Sequence, residues 1–491
     1  MREHTRGADA GVKVAAAAPL SGTALRRAAL ALLAWAAFAT GFLGAERAFR
    51  AGAPTSLLAG AAVAGVFLLL LADGGERVAR AVRRLADRAA RVPAGAWVAD
   101  CVALGTALRL AWGSLLVPRQ VSDMEIYYEL ARSLAERGVF EHEGDRVFGP
   151  PGISLLLAPL VKLLGAGTWL PLAVNVALAA GTVLVVAALA RRLAGERAMR
   201  VAALLVAVWP NQVLLSGLVS KELLVLFLLP LATLLYLRGT EGGGLRAGTL
   251  LGAGLAAGAA TLAQPNTLVL LPAFAGLEAL RRTPWRAAAA RLGLLAAGTA
   301  LAVSPWTVRN HLLFGRFIPV SLNFGHSMLV GNHPGADGGF QPVRTPYLGM
   351  PEVDYDRMAL RMALDWIAAN PGRFLALVPR KQMIFLGDDG DGAYHALKWA
   401  YGIGDARYAA AKAVSNAFWL GVLVLAAAGL SGRRGRAAEA DPRLGLLVLF
   451  FLCLLALLSV TESGARHHIA LSGFLAVFAG LAAGREEAPP G

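Results

Sequence analysis

The sequence predicts an all-α, polytopic integral membrane protein with about twelve transmembrane helices. Of its 491 residues 57% are hydrophobic and only 16% charged, against about 45–50% apolar residues in ordinary globular domains. The mean hydropathy is +0.57, and apolar runs of about 20 residues, the length that crosses a bilayer, recur along the chain. The net charge of +15 is gathered in short arginine clusters between those runs: Arg26-Arg27, then Arg77 to Arg91, Arg191-Arg192, Arg281-Arg282 with Arg286, and Arg433-Arg434 with Arg436. Loops on the cytoplasmic side of a membrane look like this, and they favour anionic lipid headgroups. No aromatic-basic groove accompanies the arginines, which excludes nucleic acid as the partner.

Spans are expected near 24–44, 55–73, 97–117, 169–190, 199–216, 222–238, 246–263, 267–281, 290–305, 412–430, 443–460 and 468–483. The first is longer than a signal-peptide core and a second follows at once, so it reads as a retained anchor. With the N-terminus in the cytoplasm, every arginine cluster falls inside. The same parity puts residues 118–150, the turn at Asn211–Glu222, residues 306–411 and residues 461–467 outside. The apolar run 151–164 is short and would break the parity if it crossed, so it reads as an interfacial or re-entrant helix.

These elements divide the chain into a two-span anchor with a basic cytoplasmic loop (1–96), a transmembrane core with the first outer loop (97–305), an extracytoplasmic segment (306–411), and C-terminal spans with a short tail (412–491). A segment as long as 306–411 is usually functional or folded, and partly helical structure is expected there. Gly248, Gly252, Gly254 and Gly258 suit close helix packing. Cys101 and Cys453 lie inside apolar runs and read as small buried hydrophobes. The tail 485–491 reads as disordered. No repeat points to the inverted halves of a transporter.

The chemistry-bearing residues collect in the outer segments. Asp123 and Glu125 follow the third span within a few residues. A carboxylate at a membrane surface costs far less than one at mid-bilayer, about 2.5–3.5 kcal/mol on the mildest scale, and it reaches substrates half sunk in lipid. Ser122-Asp123-Met124-Glu125 also suits a helix N-terminus, so capping is the alternative role for Asp123. Tyr127 sits one turn on, on the same face; Glu125 lies off it. Glu222, after Ser220-Lys221, supplies a second carboxylate or else a helix-terminal acid favoured by the dipole. Arg466 in Glu462-Ser463-Gly464-Ala465-Arg466-His467-His468, and Arg309 in Trp306-Thr307-Val308-Arg309-Asn310, would hold a phosphate or anchor at the interface. No cofactor follows from the sequence. A divalent cation is compatible with the outer histidines His142, His326, His333 and His395, but no tight ligand spacing joins them and no metal ligands are assigned. P-loop, dinucleotide and G-x-S-x-G motifs are absent.

Several blocks, in order over about residues 97–483, resemble the GT-C class of polyprenyl-phosphate-sugar-dependent glycosyltransferases. The bacterial branch similar to protein O-mannosyltransferases and aminoarabinose lipid A transferases is nearest. The blocks are Asp123-x-x-x-Tyr127 with Leu130-Ala131, Phe148-Gly149-Pro150-Pro151-Gly152, Trp209-Pro210 with Ser220-Lys221-Glu222, Ser304 to Asn310 with Phe314-Gly315-Arg316-Phe317, Gly331 to Ala336, and Arg466-His467. Gln264 stands where relatives often carry Arg, His467 where Tyr is more usual, and His333 where Asn is. The resemblance implies a GT-C-like fold with juxtamembrane helices. It also implies inverting transfer of a sugar from a polyprenyl phosphate to an extracytoplasmic lipid, glycan or protein acceptor. Asp123 would be the base, Glu222 would orient the acceptor or sugar, and Arg466 with Arg309 would hold the phosphate; Tyr127, His467 and Glu125 complete the expected substrate contacts. The competing readings are a transporter or flippase of lipid-linked sugars, whose charges would sit at mid-bilayer, and a non-catalytic envelope assembly protein.

Overall fold

The computed structural model describes residues 21–48, 51–116, 119–147, 149–341, 343, 350–404 and 406–484. The expectations that fall on Val117, Pro118, Phe148 and the tail 485–491 therefore lie outside the described residues. Among those described, helices are the only regular elements, and the sole β pairing is the isolated bridge His142–Asp145.

The chain opens with a helical hairpin, α1 (Gly22–Ala48) and α2 (Ala53–Leu70), then α3 (Glu76–Ala89) and α4 (Ala94–Leu115). In α3 the small residues Ala79, Val82 and Ala86 turn inward and the arginines outward, so it lies as an amphipathic surface helix. Next come α5 (Asp123–Arg137), α6 (Gly152–Leu164), α7 (Leu170–Ala194), α8 (Glu196–Val208), α9 (Pro210–Leu214), α10 (Lys221–Gly239), α11 (Ala247–Ala263), α12 (Leu270–Leu280) and α13 (Trp285–Phe314). The outer segment folds as α14 (Phe324–Gly331), α15 (Glu352–Ala369), α16 (Pro371–Leu386), the single turn α17 (Asp391–Ala393) and a π-helical turn Tyr394–Trp399. The chain closes with α18 (Ala406–Leu430), α19 (Gly432–Glu439), α20 (Pro442–Val460), a 3₁₀ turn Ala465–Leu471 and α21 (Ser472–Gly480).

Among the described residues nine helices are long and apolar enough to cross a membrane: α1, α2, α4, α7, α10, α13, α18, α20 and the run Ala465–Ala483. The pair α8 with Pro210–Gly217, bent by 41°, makes a tenth if it is one span. The other two expected spans are the shorter apolar helices Ala247–Ala263 and Pro265–Leu280, so length and composition support nine or ten crossings rather than twelve. Proline causes the bend: Pro210 has no N–H for the helical ladder, and the buried guanidinium of Arg109 in α4 donates to the Ala207 carbonyl at 3.0 Å just before the break. Nη1 of this arginine inside an apolar span is thereby shared between two backbone oxygens, Gly105 O at 2.9 Å being the other, while its Nε stays buried and unpaired.

α1 is packed into the bundle against α16, α18 and α20, with Arg47 on Asp388 at 3.1 Å and Glu46 on Arg380 at 2.5 Å. α6 buries Ile153, Leu157 and Val161 against the protein while Leu163 and Leu164 stay exposed, the two-faced apolar surface of a juxtamembrane helix. α13 runs for 30 residues, about 45 Å at the helical rise and longer than the ~30 Å hydrocarbon core. The Trp306 to Asn310 block is therefore helix, not loop, near the C-terminal end of a helix longer than the hydrocarbon core is thick. There Trp306 Nε1 donates to Val320 O at 2.7 Å, Thr307 Oγ1 to Pro319 O at 2.9 Å and Asn310 Nδ2 to Ile318 O at 3.0 Å. These bonds clamp the turn that follows the helix.

The segments assigned to the outside meet one another. Gln120 bonds to Gly217 O and Val219 N, Glu352 to the backbone of Arg146 and Val147, Leu322 N to Val147 O, Glu462 N to Ser327 O, and Lys381 Nζ to Val460 O. At the opposite end the arginine-rich loops meet: Arg26 with Glu439, Arg192 with Glu241, Arg197 with Asp87, and Arg291 with Glu278. The two ends are called outer and inner below, after that charge pattern.

Candidate active site

The site is built where three distant stretches of chain converge at the outer end of the bundle. The first is the start of α5. Ser122 takes φ 53°, ψ −135°, a conformation that costs a non-glycine residue of order 1–3 kcal/mol and persists only where its surroundings hold it. Its side chain makes no cap bond, so the helix cap, the alternative reading of this stretch, does not form. Asp123 instead begins the helix, and its Oδ2 accepts from Arg466 Nη2 at 2.8 Å. One turn on, Tyr127 is buried, and its carbonyl accepts from Ser154 Oγ of α6 at 2.8 Å. Gly152 permits that seating: a Cβ there would stand 2.4 Å from the Ala263 nitrogen at the end of α11.

The second stretch is the N-terminus of α10. Lys221 Nζ donates to the Tyr127 hydroxyl at 2.8 Å and lies 5.0 Å from its ring centroid. Glu222 is buried; Ser220 Oγ donates to one of its oxygens at 3.0 Å, and the other stands 3.9 Å from Arg466 Nε. The third is the turn before α21, which supplies Arg466 and Glu462. Gly331 lets α14 lie directly against that turn, since a Cβ there would be 2.6 Å from the Glu462 nitrogen.

Charge organises these groups. The Arg466 guanidinium, outweighing the effect of burial and helped by Lys221, holds the Asp123 carboxyl well below the usual carboxylate range. Burial raises the Tyr127 phenol despite Lys221. Burial also raises the Glu462 carboxyl, whose Oε2 is sealed from solvent and has no hydrogen-bond partner.

The structure thus brings Asp123, Tyr127, Glu222 and Arg466 together. His467 lies beside them, its Nδ1 3.4 Å from Gln264 Nε2. Glu125 points away and is exposed. Arg309, expected to share the phosphate, is engaged elsewhere. Its Nη1 donates to Arg146 O at 2.8 Å, its Nη2 to Phe140 O at 3.2 Å, and it lies 4.5 Å from the Trp306 ring centroid. It ties the first outer loop to α13. Among the described residues no group of three or more His, Cys, Asp or Glu is arranged to hold a metal ion.

Sequence reasoning singled out nothing in the loop between α16 and α18 but His395, as one of the histidines compatible with a divalent cation. Asp389 is buried there and gathers Trp209 Nε1 at 2.8 Å, Asn211 Nδ2 at 2.7 Å and His468 Nε2 at 3.0 Å. Burial pushes its carboxyl up against those donors. Asp391 follows, paired with His395. The usable signal was the run Asp388-Asp389-Gly390-Asp391 inside a long outer segment, with a histidine four residues beyond it.

Residues 149–308 match the family described as dolichyl-phosphate-mannose-protein mannosyltransferase. No curated protein matches the sequence significantly. Among solved structures, the Archaeoglobus fulgidus oligosaccharyltransferase in its apo form superposes with a TM-score of 0.50 at 14% identity, over 79% of this chain and 50% of that one. The chain has the GT-C fold and resembles the protein mannosyltransferases. ArnT from Cupriavidus metallidurans, bound to undecaprenyl phosphate, is also similar, with a TM-score of 0.40 at 16% identity over 80% of this chain and 78% of that one. The chain spans about half the length of the archaeal enzyme. Of the four clustered charged residues, Lys221 and Glu222 fall inside the matched family region, whereas Asp123 and Arg466 lie outside it.

Proposed function

We propose that this protein is a membrane glycosyltransferase that moves a sugar from a polyprenyl phosphate to an acceptor hydroxyl or amine at the extracytoplasmic face, with inversion. The observation that carries the reading is the convergence of Asp123, Glu222, Lys221 and Arg466 at the end of the bundle opposite the arginine clusters. Inverting displacement needs a base on the acceptor side and positive charge on the departing phosphate. Arg466 has donors beyond the one given to Asp123, and a guanidinium fork suits a phosphate. Lys221 stands beside it as a second cation. The acceptor oxygen or nitrogen attacks the anomeric carbon, the bond from that carbon to the phosphate oxygen breaks, and the acceptor proton passes to Asp123. A phosphate drawn to Arg466 shares the guanidinium with Asp123, weakens its hold on that carboxylate and raises its basicity. Glu222, fixed by Ser220, orients acceptor or sugar. The matched mannosyltransferase family supports a polyprenyl-phosphate sugar as donor.

The test is a panel of polyprenyl-phosphate sugars offered to the purified protein in lipid nanodiscs, with release of polyprenyl phosphate as the readout. Turnover of one of them, or stabilisation by it, is expected. Indifference to the whole panel and to free polyprenyl phosphate would sink the proposal.

A further inference from the structure

The loop between α16 and α18 places one more acid–base group beside the cluster. His395 Nδ1 lies 3.3 Å from Asp391 Oδ2 and 3.1 Å from the Asp391 carbonyl oxygen, so both contacts face the same ring nitrogen. A nitrogen between two oxygens carries the proton. The ring is 6% exposed, stacked on Trp399 at 5.7 Å and 14°, and met edge-on by Tyr394 at 5.1 Å. These contacts fix its plane. Nε2 has no partner among the described residues and is not one of the sealed polar atoms. The loop itself is held in place: Gly392 N donates to Asn211 Oδ1 at 2.6 Å, and Asp389 ties it to Trp209 and His468.

We propose that His395, oriented by Asp391, donates a charge-assisted hydrogen bond from Nε2 to the departing lipid phosphate. The proposal rests on the glycosyl-transfer reading and adds a residue to the leaving-group side of it. Breaking the bond from the anomeric carbon to oxygen leaves the electron pair on the phosphate, which becomes a dianion. The protonated imidazole stabilises that dianion through Nε2–H, while the acceptor proton goes to Asp123. Asp123 then releases its proton to water and His395 keeps its own, so the protein ends the cycle as it began.

The groups facing the imidazole agree with this role. Burial alone would lower the proton affinity of His395 and Arg466 lowers it further, but the Asp391 carboxylate outweighs both and the net shift is upward. Asp123 lies within electrostatic range and acts in the same direction as Asp391. Asp391 is itself kept low by His395 and Arg466 in spite of its burial and of Asp388, and Lys412 of α18 neutralises Asp388 at 2.8 Å. An imidazole whose proton affinity is raised by a carboxylate, beside an arginine proposed to hold the phosphate, is suited to stabilising the leaving charge.

The experiment follows bound undecaprenyl phosphate by phosphorus NMR, as a function of pH, in the full-length protein. It needs no knowledge of the sugar. A neighbouring imidazolium stabilises the phosphate dianion and so lowers the pH at which the bound phosphate ionises. In His395→Gln that midpoint should move up, and affinity near pH 6 should fall roughly tenfold, as for loss of one charge-assisted hydrogen bond. Asp391→Asn should shift the midpoint the same way by less, because the imidazole then holds its proton less firmly. Lys398→Gln, a change to an exposed cation on the same π-helical turn, should leave it unmoved. Wild-type affinity and midpoint in both the His395 and Asp391 variants would overturn the assignment. Failure of the wild-type protein to bind undecaprenyl phosphate would instead overturn the donor reading beneath it.

Discussion

Replacing Asp123 by Asn should separate chemistry from binding, with opposite signs. The carboxylate makes the closest contact to Arg466 at 2.8 Å, and Glu222 is the next partner at 3.9 Å. Asn keeps the size and still suits a helix start, so expression and melting temperature should be close to normal. Loss of a general base lowers turnover by about 10²–10⁴. Freed of its partner, Arg466 should grip a phosphate more tightly. The two side chains are 24% and 34% exposed, and an ion pair of that kind is worth about 1 kcal/mol, hence about fivefold in affinity. The assay is single-turnover release of undecaprenyl phosphate from the best donor of the panel, beside direct binding of undecaprenyl phosphate. Glu125→Gln, at an exposed side chain, is the control and should be nearly silent. An active Asn variant beside a dead Gln variant would show that the wrong carboxylate has been chosen. Loss of binding, turnover and thermal stability together would reduce Asp123 to a structural partner of Arg466.

Three further outcomes are expected. Arg466→Lys keeps the charge but cannot meet Asp123 and Glu222 from two nitrogens, so turnover should fall about 10- to 100-fold; near-normal activity would leave Arg466 an interfacial anchor. Arg309→Lys should cost about 1–3 kcal/mol of stability through the lost bonds to Arg146 O and Phe140 O, with undecaprenyl phosphate affinity intact. An unchanged melting temperature with lost binding would return Arg309 to the phosphate site. Phe340→Cys, at an exposed outer position, should react with an impermeant thiol reagent in intact cells while Arg84→Cys is protected; the reverse pattern would invert the topology and the site with it.

The sequence by itself determined what depends on local chemistry and period. Apolar runs of bilayer length identify spans wherever they stand, and the arginine clusters sort the loops into two sets, which the fold then brings together at opposite ends. The short run at 151–164 was legible as a surface helix because its length and the parity both forbade a crossing. Residues one turn apart, Asp123 and Tyr127, share a face by helical geometry alone. Contacts between distant segments were not legible. That Arg466 meets Asp123, 343 positions away, and that Lys221 meets Tyr127, depends on how α5, α10 and the turn before α21 pack. The roles of Arg309 and the Trp306 to Asn310 block changed because α13 continues past the expected end of its span, which put them on that helix beside backbone carbonyls rather than in a free loop. Likewise Asp389 and Asp391 carried no reading in the sequence, and His395 only that of a histidine compatible with a divalent cation. Only tertiary packing buries Asp389 and His395 and sets the His395 imidazole against the Asp391 carboxylate, which holds its proton against the opposing effect of burial.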